Sequence, residues 1–327
     1  SRLTCSDELV NLFSSAFFHQ PAERLHFINL TELYLSANEI TSIGAEHLLS
    51  SENLKKLKAI DLSHNRIEEI KQPHRSRLLS LNYLKINNNK INSSSVCNLL
   101  SLLDVDSDVF FEIHHNKIGS DGLNFIASSR YLSGADELDL TNCDLGPEGM
   151  HVLSKSRSTS KIRILILRGN NIGDQGLKYL SNAKYLNGIE TLDLSFNNIT
   201  HEGLKYLIDS PIVKRLKHFQ LNNNNISDKG IELMTSSTNF NDLVSLILDS
   251  NNIGFNGAVL LSKDTNFDSL KSMSLSLNNI GDEGALRLVS SNLLKKLEYL
   301  GFGYNKCSRE LMVDLGRKYS NIDFTSC

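Results

Sequence analysis

The chain has no tryptophan, only five cysteines, no long apolar run and almost no net charge. Each shortage excludes something. Although 40% of the 327 residues are hydrophobic, no run approaches the roughly 18–20 residues that a membrane-spanning helix needs. No membrane contact is therefore expected. Cys5, Cys97, Cys143, Cys307 and Cys327 are odd in number and scattered, which argues against a disulfide framework and for a reduced environment. A net charge of −3 offers little drive for counterion release, so nucleic acid is not expected as a partner. No basic start followed by an apolar stretch succeeds Ser1, so no signal peptide is read and an intracellular location is expected.

What the chain does have is a period. Residues 162–176 carry apolar Ile162, Leu165, Leu167 and Ile172 around a polar Asn170, in the form L-x-x-L-x-L-x-x-N-x-I. The same form recurs with Asn at 38, 65, 89, 116, 170, 197, 224, 251, 278 and 305, and with Cys143 in place of Asn. Subtraction gives steps of 27, 24 and then 27 eight times running.

The unit has two parts. Leu165 and Leu167, two apart, face one side of a short strand, while Ile164, Ile166 and Arg168 face the other. Gly173 to Leu180 has an acid in its first turn and apolar residues at helical spacing, which predicts a helix. Between them the chain must turn inside a packed corner, and a buried Asn both donates and accepts there. A ladder of Asn side chains is expected from copy to copy, with Cys143 a poor substitute because a thiol donates weakly. One such unit cannot bury its own apolar face, but stacked copies can. Strands lie roughly 4.7–4.9 Å apart and helices are about 10–12 Å wide, so the helical side must fan out.

These residues resemble the leucine-rich repeat signature. The 27-residue step and the N-x-I-G-D-x-G opening of the helix resemble the ribonuclease-inhibitor-like class, over roughly residues 30–327. Matching openings stand at Gly119–Gly122, Gly146–Gly149, Gly173–Gly176, Gly254–Gly257 and Gly281–Gly284, with Thr200 or Ser227 replacing the first Gly in two copies. The resemblance implies an α/β leucine-rich repeat solenoid, a horseshoe with a parallel β-sheet on the concave face and helices on the convex face. The clustered cysteine caps usual in secreted animal members are missing. Three segments are expected. Residues 1–29 form an N-terminal helical cap, 30–318 hold about eleven repeats, and 319–327 form a truncated terminal repeat or cap. The second copy is three residues short at 71–75, where a loop or single turn is expected. The fourth has Asp108 in its first apolar slot.

The outward strand positions are free of core duty. They carry Glu32, Asp61, Glu112, Glu137, Asp139, Asp193, Asp249 and Asp323 against Lys85 and Arg168, so acid is concentrated there. Aromatic residues are interleaved with the acids, and exposed aromatics supply much of the energy at protein interfaces. The candidate partner-binding set is Tyr34, Asp61, Tyr83, Glu112, His114, Glu137, Asp139, Arg168, Asp193, Phe196, Asp249, Tyr299 and Tyr304, and the expected partner is a protein with a basic surface.

Competing chemistry finds less support. Glu112 and His114 share a face with no third good ligand beside them, so no metal is expected. No Gly-Lys-Ser/Thr follows the Gly-x-x-Gly turns, so they are helix starts and no phosphate loop or cofactor is expected. Basic clusters at Lys55/Lys56/Lys58, Lys214/Arg215/Lys217 and Lys295/Lys296 each precede a strand at one point in the repeat, as a solvated corner would. Cys5-Ser6-Asp7 matches the C-x-D letters of some bacterial leucine-rich ubiquitin ligases, but those carry the cysteine in a separate helical domain. The expectation is a monomeric, non-enzymatic protein-binding scaffold. A GTPase-activating protein for a Ran-like small GTPase, which uses the same repeat class and acts on a partner's nucleotide, is the alternative. The abundance of Asn and Lys without Trp resembles the leucine-rich effectors that intracellular bacteria such as Legionella deliver into host cells.

Overall fold

The computed structural model describes residues 29–71, 79–103, 110–263, 266–319 and 322–323. Residues 1–28 of the expected helical cap (1–29), the Cys5 motif, Asp108 and most of the 71–75 segment lie outside them.

Twelve short strands occur among the described residues: β1 (Glu32–Tyr34), β2 (Ala59–Asp61), β3 (Tyr83–Lys85), β4 (Phe110–Glu112), β5 (Glu137–Asp139), β6 (Ile164–Ile166), β7 (Thr191–Asp193), β8 (His218–Gln220), β9 (Ser245–Ile247), β10 (Ser272–Ser274), β11 (Tyr299–Gly301) and β12 (Ile322–Asp323). Between them run α1 (Ser42–Ser50), α2 (Ser93–Leu102), α3 (Gly119–Ser128), α4 (Gly146–Lys155), α5 (Gly173–Leu180), α6 (His201–Leu207), α7 (Ser227–Ser236), α8 (Phe255–Ser262), α9 (Gly281–Val289), α10 (Asn292–Lys296) and α11 (Arg309–Lys318). β1 to β4 form one sheet and β5 to β12 a second, each in sequence order. Paired strands run parallel and in register, for instance Leu165 beside Leu192 and Phe219 beside Leu246. The chain divides into two compact units, residues 1–135 with 139–145, and residues 136–138 with 146–327.

Each strand has two or three residues and is built around the first apolar residue of the L-x-L pair. Leu165 and Leu167 are fully buried, as are Leu192 and Leu194, while Ile164 and Ile166 are half-buried. At the corner that follows, the Asn side chain does the expected work. Nδ2 of Asn65, Asn89, Asn116, Asn197, Asn224, Asn251, Asn278 and Asn305 donates at 2.9–3.0 Å to a carbonyl of the preceding repeat. The carbonyl oxygen of Asn197 accepts from the backbone of Asn170 and Ile172. Cys143 manages a bond from Sγ to the Thr141 carbonyl, at 3.6 Å. Burial pushes its thiol up to about 12, so it remains a neutral, weak donor.

The residue before each Asn turns the backbone left-handed. Its φ is 54° at Asn88, 51° at Asn142, 68° at Gly169 and 56° at Asn223, residues that tolerate it. It is also positive at Phe196, Leu277 and Tyr304, at 57°, 58° and 55°, where a bulky side chain makes it an outlier.

The helices open in two ways. Gly119, Gly146, Gly173, Ser227 and Gly281 have positive φ, and their N–H groups donate to the carbonyl of residue 143, 170, 197, 251 or 305 in the next repeat. Thr200 and Gly254 are extended instead, at φ −111° and −109°. Their N–H groups are held by a carboxylate from the repeat before, Asp174 for Thr200 at 2.8 Å and Asp228 for Gly254 at 2.6 Å. Asp282 does the same for Ser308, at 2.6 Å. Asp174, Asp228 and Asp282, two repeats apart, thus hold the openings of α6, α8 and α11.

Candidate functional site

The open face of each sheet, away from the helices, carries the outward strand positions, and each unit has its own. In the first unit, Tyr34 is 61% exposed and Phe110 57%. Phe110 stacks on Tyr83 with centroids 5.4 Å apart and planes 5° from parallel. Lys85 Nζ sits 5.4 Å from the Tyr83 ring and 2.9 Å from Glu112 Oε1, so these two charges satisfy each other. His114 and His115 share a hydrogen bond between their Nδ1 atoms at 2.8 Å, and His114 Nε2 stands 4.0 Å from Glu112. Among the described residues, no three His, Cys, Asp or Glu side chains gather as a metal site would require. Tyr34 Oη donates to Glu32 at 3.0 Å, which raises the phenol above its usual range.

The aspartates of this face do more than colour it with charge. Asp61 Oδ1 accepts from the Ser63 backbone at 2.9 Å and its hydroxyl at 2.6 Å, and Asp139 Oδ1 accepts from the Thr141 backbone at 2.8 Å. Each carboxylate folds over its own turn two residues on, the local bonding that short polar side chains favour.

In the second unit, Glu137 and Phe196 are exposed, and the Arg168 guanidinium lies 4.1 Å from the centroid of the Phe196 ring. Asp193 departs from expectation. It is 7% exposed, because it bends back to accept the Ser195 N–H at 2.8 Å, as Asp61 and Asp139 do on their turns. It is therefore a turn-capping residue and offers a partner little carboxylate surface. Asp249 plays the same part from the neighbouring repeat, accepting at 2.7 Å from Ser276 N and at 2.5 Å from Ser274 Oγ. Tyr299 Oη donates to Asp323 at 3.2 Å. Leu277 and Tyr304 are each 54% exposed.

Burial pushes the Asp249 carboxyl above its ordinary range, against the two hydrogen bonds that pull it down. A carboxylate raised in the folded state binds its proton more tightly there than when unfolded, so its cost is absent at acid pH and fully felt above the folded value. Asp249→Asn keeps the acceptor and removes the charge. It is expected to stabilise the protein at pH 7 in urea unfolding, with the advantage vanishing below roughly pH 3, under the unfolded value for Asp. An advantage that persists in acid would show that the gain has another source.

The basic clusters lie at the corners expected of them. Lys217 pairs with Glu190 at 2.7 Å, Lys296 approaches Asp268 at 3.6 Å, and Lys58 Nζ donates to the Ser80 carbonyl. Among the described residues, no helix is long and apolar enough to cross a membrane.

Comparison with known proteins agrees with this architecture. Two family models, both described as leucine rich repeat, match the chain, one over residues 28–91 and the other over 137–154, 160–181, 189–207, 216–234 and 269–289. The chain is similar to receptor-like protein 41 of Arabidopsis thaliana, 36% identical over 113 residues, which is 32% of this chain and 12% of that protein. It thus spans about an eighth of the relative's length. It is also similar in fold to the crystal structure of an internalin from Listeria monocytogenes, with a TM-score of 0.56 at 20% identity, covering 95% of this chain and 84% of the internalin.

Proposed function

This chain is a leucine-rich repeat protein, and we propose that it is a non-enzymatic scaffold that holds a partner protein against the open faces of its sheets. The observation that carries this reading is the set of large apolar side chains left in solvent on those faces: Tyr34, Phe110, Phe196, Leu277, Tyr299 and Tyr304, each at least 42% exposed. Several clustered exposed apolar groups mark interaction surfaces, and aromatics dominate the binding energy of such surfaces. Three of the six, Phe196, Leu277 and Tyr304, also occupy left-handed backbone that Asn or Gly would adopt at lower cost, a strain that points to a role other than stability.

A basic partner fits the charge that remains. With Glu112 matched by Lys85, no lysine or arginine pairs with Asp61, Glu137, Asp139 or Asp249 among the described residues. The 27-residue step and the helix after most strands support the ribonuclease-inhibitor-like class. The Asn- and Lys-rich, Trp-free composition supports a bacterial effector acting in a host cell. Nothing among the described residues favours the GTPase-activating alternative.

The test is capture from host and bacterial lysates by the wild-type chain and by a variant carrying Tyr34→Ser, Phe110→Ser, Phe196→Ser and Leu277→Ser. Basic proteins retained by the first and released by the second are expected. An identical set on both, or none on the wild type, overturns the reading.

A further inference from the structure

The second unit contains an internal comparison at the residue preceding the ladder Asn. Phe196 stands one position before Asn197, and Arg168, two positions before Asn170 in the adjacent repeat, lays its guanidinium 4.1 Å from the ring centroid. Tyr304 stands in the same place, one position before Asn305. The residue that matches Arg168 there is Ser276, which is too short to reach the ring. Among the described residues, Tyr304 has no such guanidinium on its ring and is 54% exposed, against 43% for Phe196, beside Leu277 at 54%.

The surroundings are acidic and open. Outward positions of β8 to β12 carry Asp249 and Asp323 and no lysine or arginine. Asp249 Oδ1 is fixed by Ser274 and Ser276, and its Oδ2 has no hydrogen-bond partner among the described residues. Ser276, Gly301 and Gly303 put only small side chains on the floor between the carboxylates. A Cβ on Gly301 would come within 3.2 Å of Tyr299 Oη, so that glycine gives the Tyr299 hydroxyl room to reach Asp323.

We propose that Tyr304, Leu277 and Asp249 form an acceptor site for an arginine side chain supplied by the partner protein. The inference rests on the reading of this face as a docking surface. Arginine is favoured over lysine because its planar guanidinium lies flat on an aromatic face and still presents N–H groups to a carboxylate. The partner thus supplies in trans what Arg168 supplies to Phe196 in cis.

The probes are the blocked peptides acetyl-Gly-Arg-Gly-amide and acetyl-Gly-Lys-Gly-amide, titrated into the full chain and followed by the methyl resonances of Leu277. The arginine peptide is expected to shift them, with the lysine peptide about fivefold weaker, and Tyr304→Ala to weaken the arginine peptide by about fivefold. Tyr304→Phe keeps the ring and should keep the binding. Ser276→Arg places a guanidinium where Arg168 has its own, so it should occupy the ring from within and abolish the shift. Equal affinity for the two peptides, or an unaltered titration with Ser276→Arg, overturns the site. Lysate proteins released by the four-serine variant but retained by Ser276→Arg would overturn the arginine site and leave the scaffold standing.

Discussion

Asn197→Ala is expected to lower the unfolding free energy by about 2–4 kcal/mol, because it removes four hydrogen bonds in a buried corner: the Asn170 and Ile172 N–H groups lose this acceptor, while the Leu167 and Ser195 carbonyls each keep a second donor, Asn170 Nδ2 and Gly169 N. The side chain is fully buried. Its Oδ1 accepts from Asn170 N at 2.9 Å and Ile172 N at 3.3 Å, and its Nδ2 donates to the carbonyls of Leu167 at 2.9 Å and Ser195 at 3.0 Å. Alanine supplies neither function, and the cavity it leaves is lined by the groups it orphans. The ladder contains its own reverse experiment. Cys143 holds the equivalent corner in the first unit with a thiol whose bond to Thr141 is 3.6 Å long. Cys143→Asn restores a two-donor amide and is expected to raise stability by about 1 kcal/mol. Urea unfolding midpoints measure both. A loss at Asn197 smaller than about 1 kcal/mol would mean that the corner rearranges to satisfy itself, and a destabilised Cys143→Asn would mean that its corner has closed around sulfur.

The repeat unit was legible in the sequence because its two halves obey different periods. Alternation across Leu165 and Leu167 marks the strand, the spacing from Gly173 to Leu180 marks the helix, and both elements stand where they were expected. The split of the strands into sheets of four and eight falls between the two copies that depart from the consensus, the fourth with Asp108 in its first apolar slot and the fifth with Cys143 for Asn, but those letters alone did not make it legible. The outward face was read by alternation alone, which treats every outward side chain as solvent-directed. Alternation gives the direction of the Cα–Cβ bond and says nothing about where a short carboxylate then bends. Asp193 shows the consequence, and its signal was present in the two-residue spacing from Asp to Ser or Thr, repeated at Asp61 and Ser63, Asp139 and Thr141, and Asp193 and Ser195. The left-handed column was signalled too, by Asn88, Asn142, Gly169 and Asn223 in one register, against which Phe196, Leu277 and Tyr304 stand out. The helix openings hid a second alternation. Ser227 takes the conformation of the glycine it replaces, with φ 60°, while Gly254 does not use its freedom.

Gly203→Ala is expected to cost about 2–3 kcal/mol, through overpacking and the loss of hydrogen bonds to a charged group, although the site lies inside a helix where alanine normally stabilises. The reason is the aspartate cap from the preceding repeat. A Cβ at Gly203 would stand 2.5 Å from Asp174 Oδ1 and 3.1 Å from Asp174 Cα. The carboxylate must give way, and it is the group that accepts from Thr200 N at 2.8 Å and from Thr200 Oγ1 at 2.7 Å. Thr200 in turn accepts from Glu202 N, so moving Asp174 also loosens the start of α6. The second glycine of the G-x-x-G motif thus keeps space for a neighbour's carboxylate as well as for its own helix. A double-mutant cycle separates this from intrinsic helix propensity. In an Asp174→Ala background the obstructing carboxylate is gone and the Thr200 bonds are already lost, so Gly203→Ala should cost at least about 1 kcal/mol less than in the wild type. Additive costs would show that the strain comes from elsewhere in the helix start. The same cycle at Gly257 and Asp228, where a Cβ would stand 2.6 Å from the carboxylate oxygen, should give coupling of the same sign.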